Sequence, residues 1–503
     1  MIALADLLAA AGLPAAGGAP AAAAVSIAGI ASDSRDVAPG SLFVAIAGRR
    51  HDGHSHAAAA VAAGAAAVIA EHPPSPALPP GVPVILVNNS RVALSALAAG
   101  WHQHPSRTMT VAGVTGTDGK TTTATMIWAA WRAAGLHAGL ISTVDFRDGD
   151  HVTANTTRLT TMEAVETQRR LATLRDSGCS HVVVETSSHA LEMHRVDDVA
   201  YRVAVYTRIT SEHLDVHGSR EGYLAAKARL LSLVGERSDG VAVLDRDDDF
   251  AYPRLLKIPV ATVLTYSASG APADLVAEDV AANAQGVRLR ARTPWGEAQL
   301  HLQLAGRFNA ANALAALAAA CSSGAPFDAA VAGIAGLERV HGRMEHVHAG
   351  QPFGVVIDYA HTAASLENVL TELRAATSGR LWVVFGSAGE RDVEKRAAMG
   401  AVAGRLADVV VVTDEDPRGE DRVAICEQIA AGARSAGARP GDSLHVIPDR
   451  GEAVAFAVGG ARPGDTVLLA GKGHESSIVT AAGSVPWDER TVVESALRAR
   501  FST

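Results

Sequence analysis

Residues 110–123, TVAGVTGTDGKTTT, place a glycine-rich turn between a short β-branched run and a helical pattern carried by Met126, Ile127, Trp128 and Trp131. A phosphate cradle requires that order. Gly116 and Gly119 let the backbone turn its N–H groups toward an anion, and the helix N-terminus adds partial positive charge. Lys120 can reach the β- and γ-phosphates of a nucleotide, and the Thr121 hydroxyl can ligate Mg²⁺. The spacing departs from the common P-loop: Val114 stands where the first glycine would fall, and Gly113, Gly116 and Gly119 recur every third residue instead. Nucleoside triphosphate binding is the expectation, against a plain strand-to-helix turn with no ligand. The loop alone names no reaction.

A chain of 503 residues exceeds one ordinary core and suggests about three domains. Its net charge of −9 offers no global basic field for nucleic acid or anionic lipid, so an anionic substrate must be captured locally. Cys179, Cys321 and Cys426 are too few and too scattered for a disulfide framework or a cysteine metal site, which fits a reducing cytoplasm. The Ala-rich start lacks a basic leading region and carries Asp6 early, unlike a signal peptide. No apolar run is long enough for a membrane span.

Residues 1–105 read as a small α/β unit, with strand candidates at 42–46, 66–70 and 83–87, helices near 56–64 and 91–101, and a linker at His104, Pro105 and Ser106. In residues 106–342, apolar β-rich runs at 109–115, 181–185, 203–207 and 241–245 alternate with helical patterns, which predicts a largely parallel, helix-covered sheet. Residues 267–305 alternate polar and apolar and suggest an antiparallel flap, with a helix starting near 308. Residues 343–503 carry strands at 354–359, 381–385, 408–413 and 466–470, each followed by a polar or glycine-rich loop. Ligands of open parallel α/β sheets sit outside the carboxyl ends of the strands, so these loops should share a crevice.

Strand 181–184 delivers Glu185 at its end, suited to a direct or indirect Mg²⁺ role beside the phosphate loop. Residues 211–218, SEHLDVHG, alternate acid and imidazole and suit a metal or phosphate site, with His213 a stronger candidate than His217. Lys227 borders an apolar helical face with Tyr223, Leu224, Leu230 and Leu231, and spacing alone reads it as a snorkelling lysine. The third-unit loops hold Arg391, Asp392, Lys395, Arg396, Asp416, Arg418, Lys472, His474 and Glu475. Mixed signs in one crevice fit a zwitterion; a solvated charged rim is the alternative.

Blocks in order along essentially the whole chain resemble the Mur ligase family. They include Asp33-Ser34-Arg35, residues 39–45 (PGSLFVA), His51 to His54 (HDGH), the phosphate loop, residues 160–164 (TTMEA), 185–189 (ETSSH), 213–218 (HLDVHG), 306–312 (GRFNAAN), 342–345 (GRME), 358–362 (DYAHT) and 471–475 (GKGHE). The resemblance implies a three-domain α/β architecture: a small N-terminal domain (1–105) for the UDP-muramoyl substrate, a central P-loop ATPase-like, mostly parallel sheet (106–342), and a C-terminal Rossmann-like domain (343–503) for the amino acid. It implies an ATP- and Mg²⁺-dependent ligase of peptidoglycan synthesis, most like the member that acts on UDP-N-acetylmuramoyl-L-alanyl-D-glutamate. That member adds the third residue, meso-diaminopimelate, L-lysine or L-ornithine, through an acyl phosphate. A cytoplasmic monomer with no nucleic-acid or membrane partner is expected.

Roles follow from the same resemblance. Gly116, Thr117, Asp118, Gly119, Lys120, Thr121, Thr122, Asn312, Arg343 and Asp358 look like ATP contacts. Ser34, Thr160, Thr161, Ser187 and Arg195 look like contacts to the UDP-muramoyl-dipeptide. Thr121, Glu185 and His213 look like Mg²⁺ ligands, with Lys120 and His213 catalytic. Lys227 matches a carbamylated lysine that organises metal or phosphate, reversing its spacing-only reading. Arg391, Asp416, Arg418, Gly471 and Glu475 match the amino-acid site.

Several positions depart from the family pattern. Asp118 and Arg208 stand where Asn is usual, Met162 where Pro is common, and Ser387-Ala388 where Cys-Gly is usual. Glu415-Asp416-Pro417-Arg418 replaces Asp-Asn-Pro-Arg of the diaminopimelate-adding members. Asp416 accepts only, where Asn also donates, so it should favour a distal ammonium and a simple diamine such as L-lysine or L-ornithine. Arg418 argues for a distal carboxylate. Rival readings are another Mur-type step, a folylpolyglutamate or cyanophycin-type ligase, or a non-catalytic ATP-binding scaffold.

Overall fold

The computed structural model describes residues 1–14, 25–48, 51–210, 212, 214–283 and 286–501. Three main sheets divide the chain. The first is four-stranded and parallel, in the order Gly29–Ala31, Ser41–Val44, Ala67–Ala70, Val84–Leu86. Helices Leu4–Ala10 and Ser90–Trp101 cover one face. Helix Ser90–Trp101 has an N-cap in Asn89, whose side chain accepts from the Arg91 and Val92 amides. The expected linker is a short 3-10 turn, Pro105–Thr108, and Ser106 Oγ accepts from the Ala200 amide at 3.0 Å, so the junction is pinned rather than free.

The second sheet has eleven strands. Its middle is parallel: Ala138–Ile141, His181–Glu185, Thr110–Thr115, Tyr201–Tyr206, Val241–Asp245, Thr262–Ser267 and Leu275–Asn283 lie side by side in that order. The central strands are buried valine-rich runs, as a sheet covered on both faces demands. The expected flap is instead the edge of this sheet. Beyond Leu275–Asn283, strands Gly286–Thr293 and Gly296–Leu302 continue it antiparallel, because their inward residues Val287, Leu289, Ala291, Leu300 and Leu302 complete the same core.

Helix Asn309–Ser322 (NAANALAALAAACS) is buried almost throughout and has no polar face. Small side chains let it sit deep in that core against helix Lys120–Ala133, where Trp131 Nε1 donates to Ser323 Oγ at 3.0 Å. This packing carries Asn312 to the phosphate loop.

The third sheet runs Glu345–His346, Gly354–Asp358, Thr466–Ala470, Leu381–Phe385, Val409–Val412, Leu444–Val446, parallel except for the first strand. Strand Leu444–Val446 was not foreseen; three residues give too short a pattern to read. Among the described residues no helix is long and apolar enough to cross a membrane.

Candidate active site

The phosphate loop leaves strand Thr110–Thr115 and enters helix Lys120–Ala133 in the middle of the second sheet. A Cβ on Gly116 (φ +154°) would stand 1.9 Å from Thr207 Oγ1, and one on Gly119 (φ +85°) would stand 2.5 Å from Asn312 Oδ1. Those approaches fix the loop. Thr207 Oγ1 donates to the carbonyls of Thr115 (3.2 Å) and Asp118 (2.6 Å), and Thr123 Oγ1 donates to Asn312 Oδ1 (3.2 Å). The Thr117 amide donates to the Arg208 carbonyl at 2.8 Å. Arg208 thus serves the loop through its backbone while its side chain is exposed, which explains how a residue other than Asn is accommodated there.

Two lysines converge on one carbonyl. Lys120 Nζ donates to Gly116 O (3.0 Å) and Thr117 O (2.7 Å), and Lys227 Nζ donates to Gly116 O at 2.8 Å. Lys227 is 1% exposed with its Nζ 4.5 Å from the Tyr223 ring centroid, so it turns inward and does not snorkel. Burial first, and the Lys120 charge second, push its amine well below the ordinary lysine range. Burial likewise pushes the Asp118 carboxyl up, against the pull of Lys120, and a carboxyl nearer neutrality repels phosphate less.

Glu185 is fully buried at the end of its strand; its oxygens accept from the Thr143 amide (3.2 Å) and hydroxyl (2.7 Å). Thr161 Oγ1 donates to the Glu185 carbonyl (2.8 Å) and accepts from the Ser187 amide (2.9 Å). Arg195 donates to Thr161 O (3.3 Å) and pairs with Glu163 at 2.5 Å. Glu185, Thr161, Ser187 and Arg195 are therefore one cluster, and Thr160 adjoins it in the chain. Ser34 lies in a 3-10 turn, Ser34–Asp36, beside the first sheet, and among the described residues no hydrogen bond ties it to the phosphate loop. His213 lies outside the described residues. Hard oxygen donors at Thr121 and Glu185 fit Mg²⁺ chemically.

Three links join this region to the third sheet. Arg343 Nη2 donates to Thr121 Oγ1 at 3.2 Å, its guanidinium 4.5 Å from the Tyr359 ring centroid. Thr121 therefore offers a metal only its second lone pair. Asp358 accepts from the Met344 and Ala360 amides, both at 2.8 Å, and so shapes the turn that presents Arg343; burial pushes its carboxyl up. Glu212 accepts from Tyr223 OH (3.4 Å) and lies 3.6 Å from His361 Nε2. Arg158 Nη1 donates to Asp416 Oδ2 at 3.1 Å.

The loops after the third-sheet strands, expected to share a crevice, meet one another. Lys472 Nζ, fully buried, donates to Asp416 Oδ1 (2.9 Å) and Glu475 Oε2 (2.5 Å), and Lys395 Nζ donates to His361 O (3.0 Å). Gly471 N donates to Asp358 O at 3.1 Å. Arg418, in the left-handed region (φ +53°), is half-buried, while Arg391 is exposed. One expectation is corrected here. Asp416 Oδ1 also accepts from the Val479 amide at 2.8 Å, so with Lys472 on Oδ1 and Arg158 on Oδ2 both carboxylate oxygens are already occupied. It is not a free acceptor for a substrate ammonium. Behind the crevice Arg450, 2% exposed, pairs with Glu489 at 2.6 Å and donates to the carbonyls of Asp414 (3.0 Å) and Ala470 (2.9 Å), clamping two loop-bearing strands together.

Sequence reasoning passed over Thr143, Arg158 and Arg450, and read Glu212 only as part of an acid–imidazole run, without its link to His361. Their partners lie 42, 258, 39 and 149 residues away along the chain, separations at which no periodicity is visible.

Family models for the Mur ligase family catalytic domain, the Mur ligase middle domain and the Mur ligase glutamate ligase domain match residues 26–102, 114–320 and 342–473. A UDP-N-acetylmuramyl-tripeptide synthetase from Roseiflexus sp. (strain RS-1) is 47% identical over 482 residues, 94% of each chain. The chain belongs to the Mur ligase family. This Mur ligase is also 40% identical to a UDP-N-acetylmuramoyl-L-alanyl-D-glutamate–2,6-diaminopimelate ligase from Geobacillus kaustophilus, over 94% of its own length and 95% of the relative's. A solved structure of a ligase of that same name superposes on it with a TM-score of 0.68 at 29% identity, covering all of both chains. The three-domain α/β Mur ligase architecture expected from the sequence is thereby established.

Proposed function

We propose that this Mur ligase joins a diamino acid to the D-glutamyl carboxylate of UDP-N-acetylmuramoyl-L-alanyl-D-glutamate, the third-residue step of peptidoglycan synthesis. Family membership makes it an ATP-dependent acid–amino-acid ligase. The observation that carries the reading is the triple link between the phosphate-loop region and the third-sheet crevice: Arg343 to Thr121, Glu212 to His361, and Arg158 to Asp416. An ATP site and an amino-acid site tied so closely suit a reaction that must activate one substrate and hand it to another.

A carboxylate and an ammonium do not condense unaided. Phosphorylation of the D-glutamyl carboxylate by ATP gives an acyl phosphate; the free amine attacks its carbonyl carbon, and the tetrahedral intermediate collapses with loss of phosphate. Lys120 and Arg343 offset charge on the transferring phosphoryl group. Asn312 holds the loop in shape. Mg²⁺, held by Thr121 and Glu185, with His213 and Lys227 as further members of its surroundings, would neutralise nucleotide charge. Thr160, Thr161, Ser187 and Arg195 would bind the muramoyl-dipeptide, with Ser34 at its uridine end. Residues 1–105, 106–342 and 343–503 would divide the substrates among them. Free, buried thiols at Cys179, Cys321 and Cys426 suit a cytoplasmic enzyme.

Incubation with the UDP-muramoyl-dipeptide, ATP and a panel of meso-diaminopimelate, L-lysine and L-ornithine tests this. One of them should give a product heavier by that amino acid less water, with stoichiometric phosphate release. Absence of product with all three would overturn the assignment.

A further inference from the structure

His137, Asp148 and Cys179 meet at the end of the second sheet that lies away from the phosphate loop. His137 immediately precedes strand Ala138–Ile141, Cys179 comes just before strand His181–Glu185, and Asp148 closes strand Asp145–Asp148. The first two of these strands run parallel to Thr110–Thr115, whose opposite end opens the phosphate loop. Sheet register brings the three residues together. Gly139 pairs with Asp148, the Gly149 amide donates to Ala138 O at 3.2 Å, and the Ser180 amide donates to His137 O at 2.9 Å.

The side chains converge on one carboxylate oxygen. His137 Nε2 lies 2.9 Å and Cys179 Sγ 3.4 Å from Asp148 Oδ1, and the three ligand atoms all stand within 4.8 Å of one another. Around a tetrahedral Zn²⁺, with N and O at about 2.0–2.2 Å and thiolate at about 2.3 Å, ligand atoms stand roughly 3.3–3.6 Å apart. The trio is therefore close to that spacing, the His137–Asp148 pair needing to open by roughly half an ångström. Cys179 is 5% exposed, while the side chains of His137 and Asp148 are 38% and 29% exposed. An ion can thus enter from solvent and find its softest ligand innermost. Ser177 Oγ, 3.8 Å from Sγ, can donate to the thiolate. The neighbouring cation, Arg132, directs its donors to Asp150 Oδ1 (3.0 Å) and Leu136 O (3.3 Å).

We propose that His137, Asp148 and Cys179 form a binding site for a Zn²⁺-like divalent cation, separate from the Mg²⁺ of the nucleotide. One imidazole, one thiolate and one carboxylate suit Zn²⁺ and not Mg²⁺, which demands an octahedron of oxygens. On binding, the thiol gives its proton to solvent, and the imidazole coordinates through Nε2 with its own proton on Nδ1. The thiolate and the carboxylate then cancel the charge of the ion, and a water completes the tetrahedron. The ion staples the open end of the hairpin formed by Ala138–Ile141 and Asp145–Asp148 to the loop before His181–Glu185. The turn at the other end of that hairpin carries Thr143, which holds Glu185. No cysteine-rich motif announces such a site, because its ligands are of three kinds, spaced 11 and 31 residues apart.

The test titrates the full chain, stripped of metal by a chelator and held in excess Mg²⁺, with Co²⁺, whose thiolate complexes absorb in the near ultraviolet. Cys321 and Cys426 sit in apolar cores, so the thiolate band reports Cys179. One equivalent of Co²⁺ should bind with that band, and Zn²⁺ should bleach it. The band should vanish in Cys179→Ser. The Kd for Co²⁺ should rise by ~10²-fold or more in His137→Gln and in Asp148→Asn, at least the loss that disturbing a metal's outer partners brings. Zn²⁺ should raise the thermal midpoint of wild type and leave that of Cys179→Ser unchanged. A merely hydrogen-bonded trio would give no band in wild type, and that result overturns the proposal. So does a band that survives in Cys179→Ser, or a Kd unchanged in both other variants. His137 and Asp148 are partly exposed, so their variants carry the test should Cys179→Ser not fold, judged by ADP binding. No turnover is read, so failure of the ligase assignment would leave this result standing.

Discussion

The carbonyl of Gly116 accepts from both Lys120 Nζ, at 3.0 Å, and Lys227 Nζ, at 2.8 Å. Two ammonium groups on one acceptor repel, and the two environments are unequal. Lys120 is half-exposed at the start of its helix, while Lys227 is shut in between that carbonyl and the Tyr223 ring. The proton is therefore lost from Lys227 first. A neutral, buried amine beside a nucleotide site is the form that reacts with CO₂, releasing a proton and leaving a carbamate.

Carbamylation of Lys227 should therefore be detectable in the folded protein. Isotopically labelled bicarbonate should give a carbamate carbon signal in wild type and none in Lys227→Ala. Activity of Lys227→Ala should drop by ~10²-fold or more, as for loss of one preorganised charge at a phosphoryl-transfer centre. Partial recovery with short carboxylic acids added in solution would follow from the same chemistry. Full activity in rigorously CO₂-free buffer would refute the modification.

Glu185 supplies a second handle on the phosphate region. Both its oxygens are held by Thr143, so Glu185→Gln forces the amide to face a donor and removes a negative charge at once. We expect kcat to fall by ~10²-fold and the Mg²⁺ concentration for half-maximal rate to rise. Thr143→Val, which removes only the hydroxyl donor, should fall between the two enzymes. A metal requirement identical in all three would remove Glu185 from the metal's surroundings.

Much of this was legible in the sequence, and the rest was hidden for physical reasons. The parallel strands announced themselves because sheets covered on both faces need unbroken apolar runs, as in Val409–Val412. The phosphate loop was legible because positive φ and close backbone approach demand glycine at Gly116 and Gly119. The inward turn of Lys227 was not, since helical spacing places a side chain on a face without saying what roofs it. The preoccupation of Asp416 was not either: Arg158 arrives from another unit of the chain. Substitution patterns within one motif show what a residue can bind and not what already binds it.

Arg450 and Glu489 form a buried ion pair that also holds two strand ends through Asp414 O and Ala470 O. Removing one partner leaves a buried charge and two unserved carbonyls. Arg450→Ala should cost roughly 3–5 kcal/mol in urea unfolding, as one-sided loss of a buried pair does. Arg450→Met with Glu489→Leu should recover part of that cost yet raise KM for the amino acid, because the clamp on the crevice is gone. Equal stability of single and double variants would refute the pairing as the source.

Glu345 contributes to the acid limb of stability in the third unit. Burial pushes its carboxyl up, but hydrogen bonds from His341 and the Gly342 amide, with Arg490 at 2.7 Å, overrule burial and hold it at about 2. In the unfolded chain it titrates near the ordinary glutamate value of 4.5. A carboxyl whose folded value is depressed contributes stability that is fully present above the unfolded value and is lost as pH falls toward the folded one. His341 acts in the opposite sense. Its imidazole is raised above 6.5, chiefly by the hydrogen bond to Glu345, so its share is present below that value and fades at higher pH. Wild type should thus lose stability between about pH 4.5 and pH 2 more steeply than Glu345→Gln, measured as urea midpoint against pH. The variant, with an amide facing His341 and Arg490 left to Glu494 alone, should be the less stable protein at neutral pH and the less pH-dependent one below 4.5. Parallel curves for the two proteins across that window would show that the carboxylate does not carry the acid sensitivity.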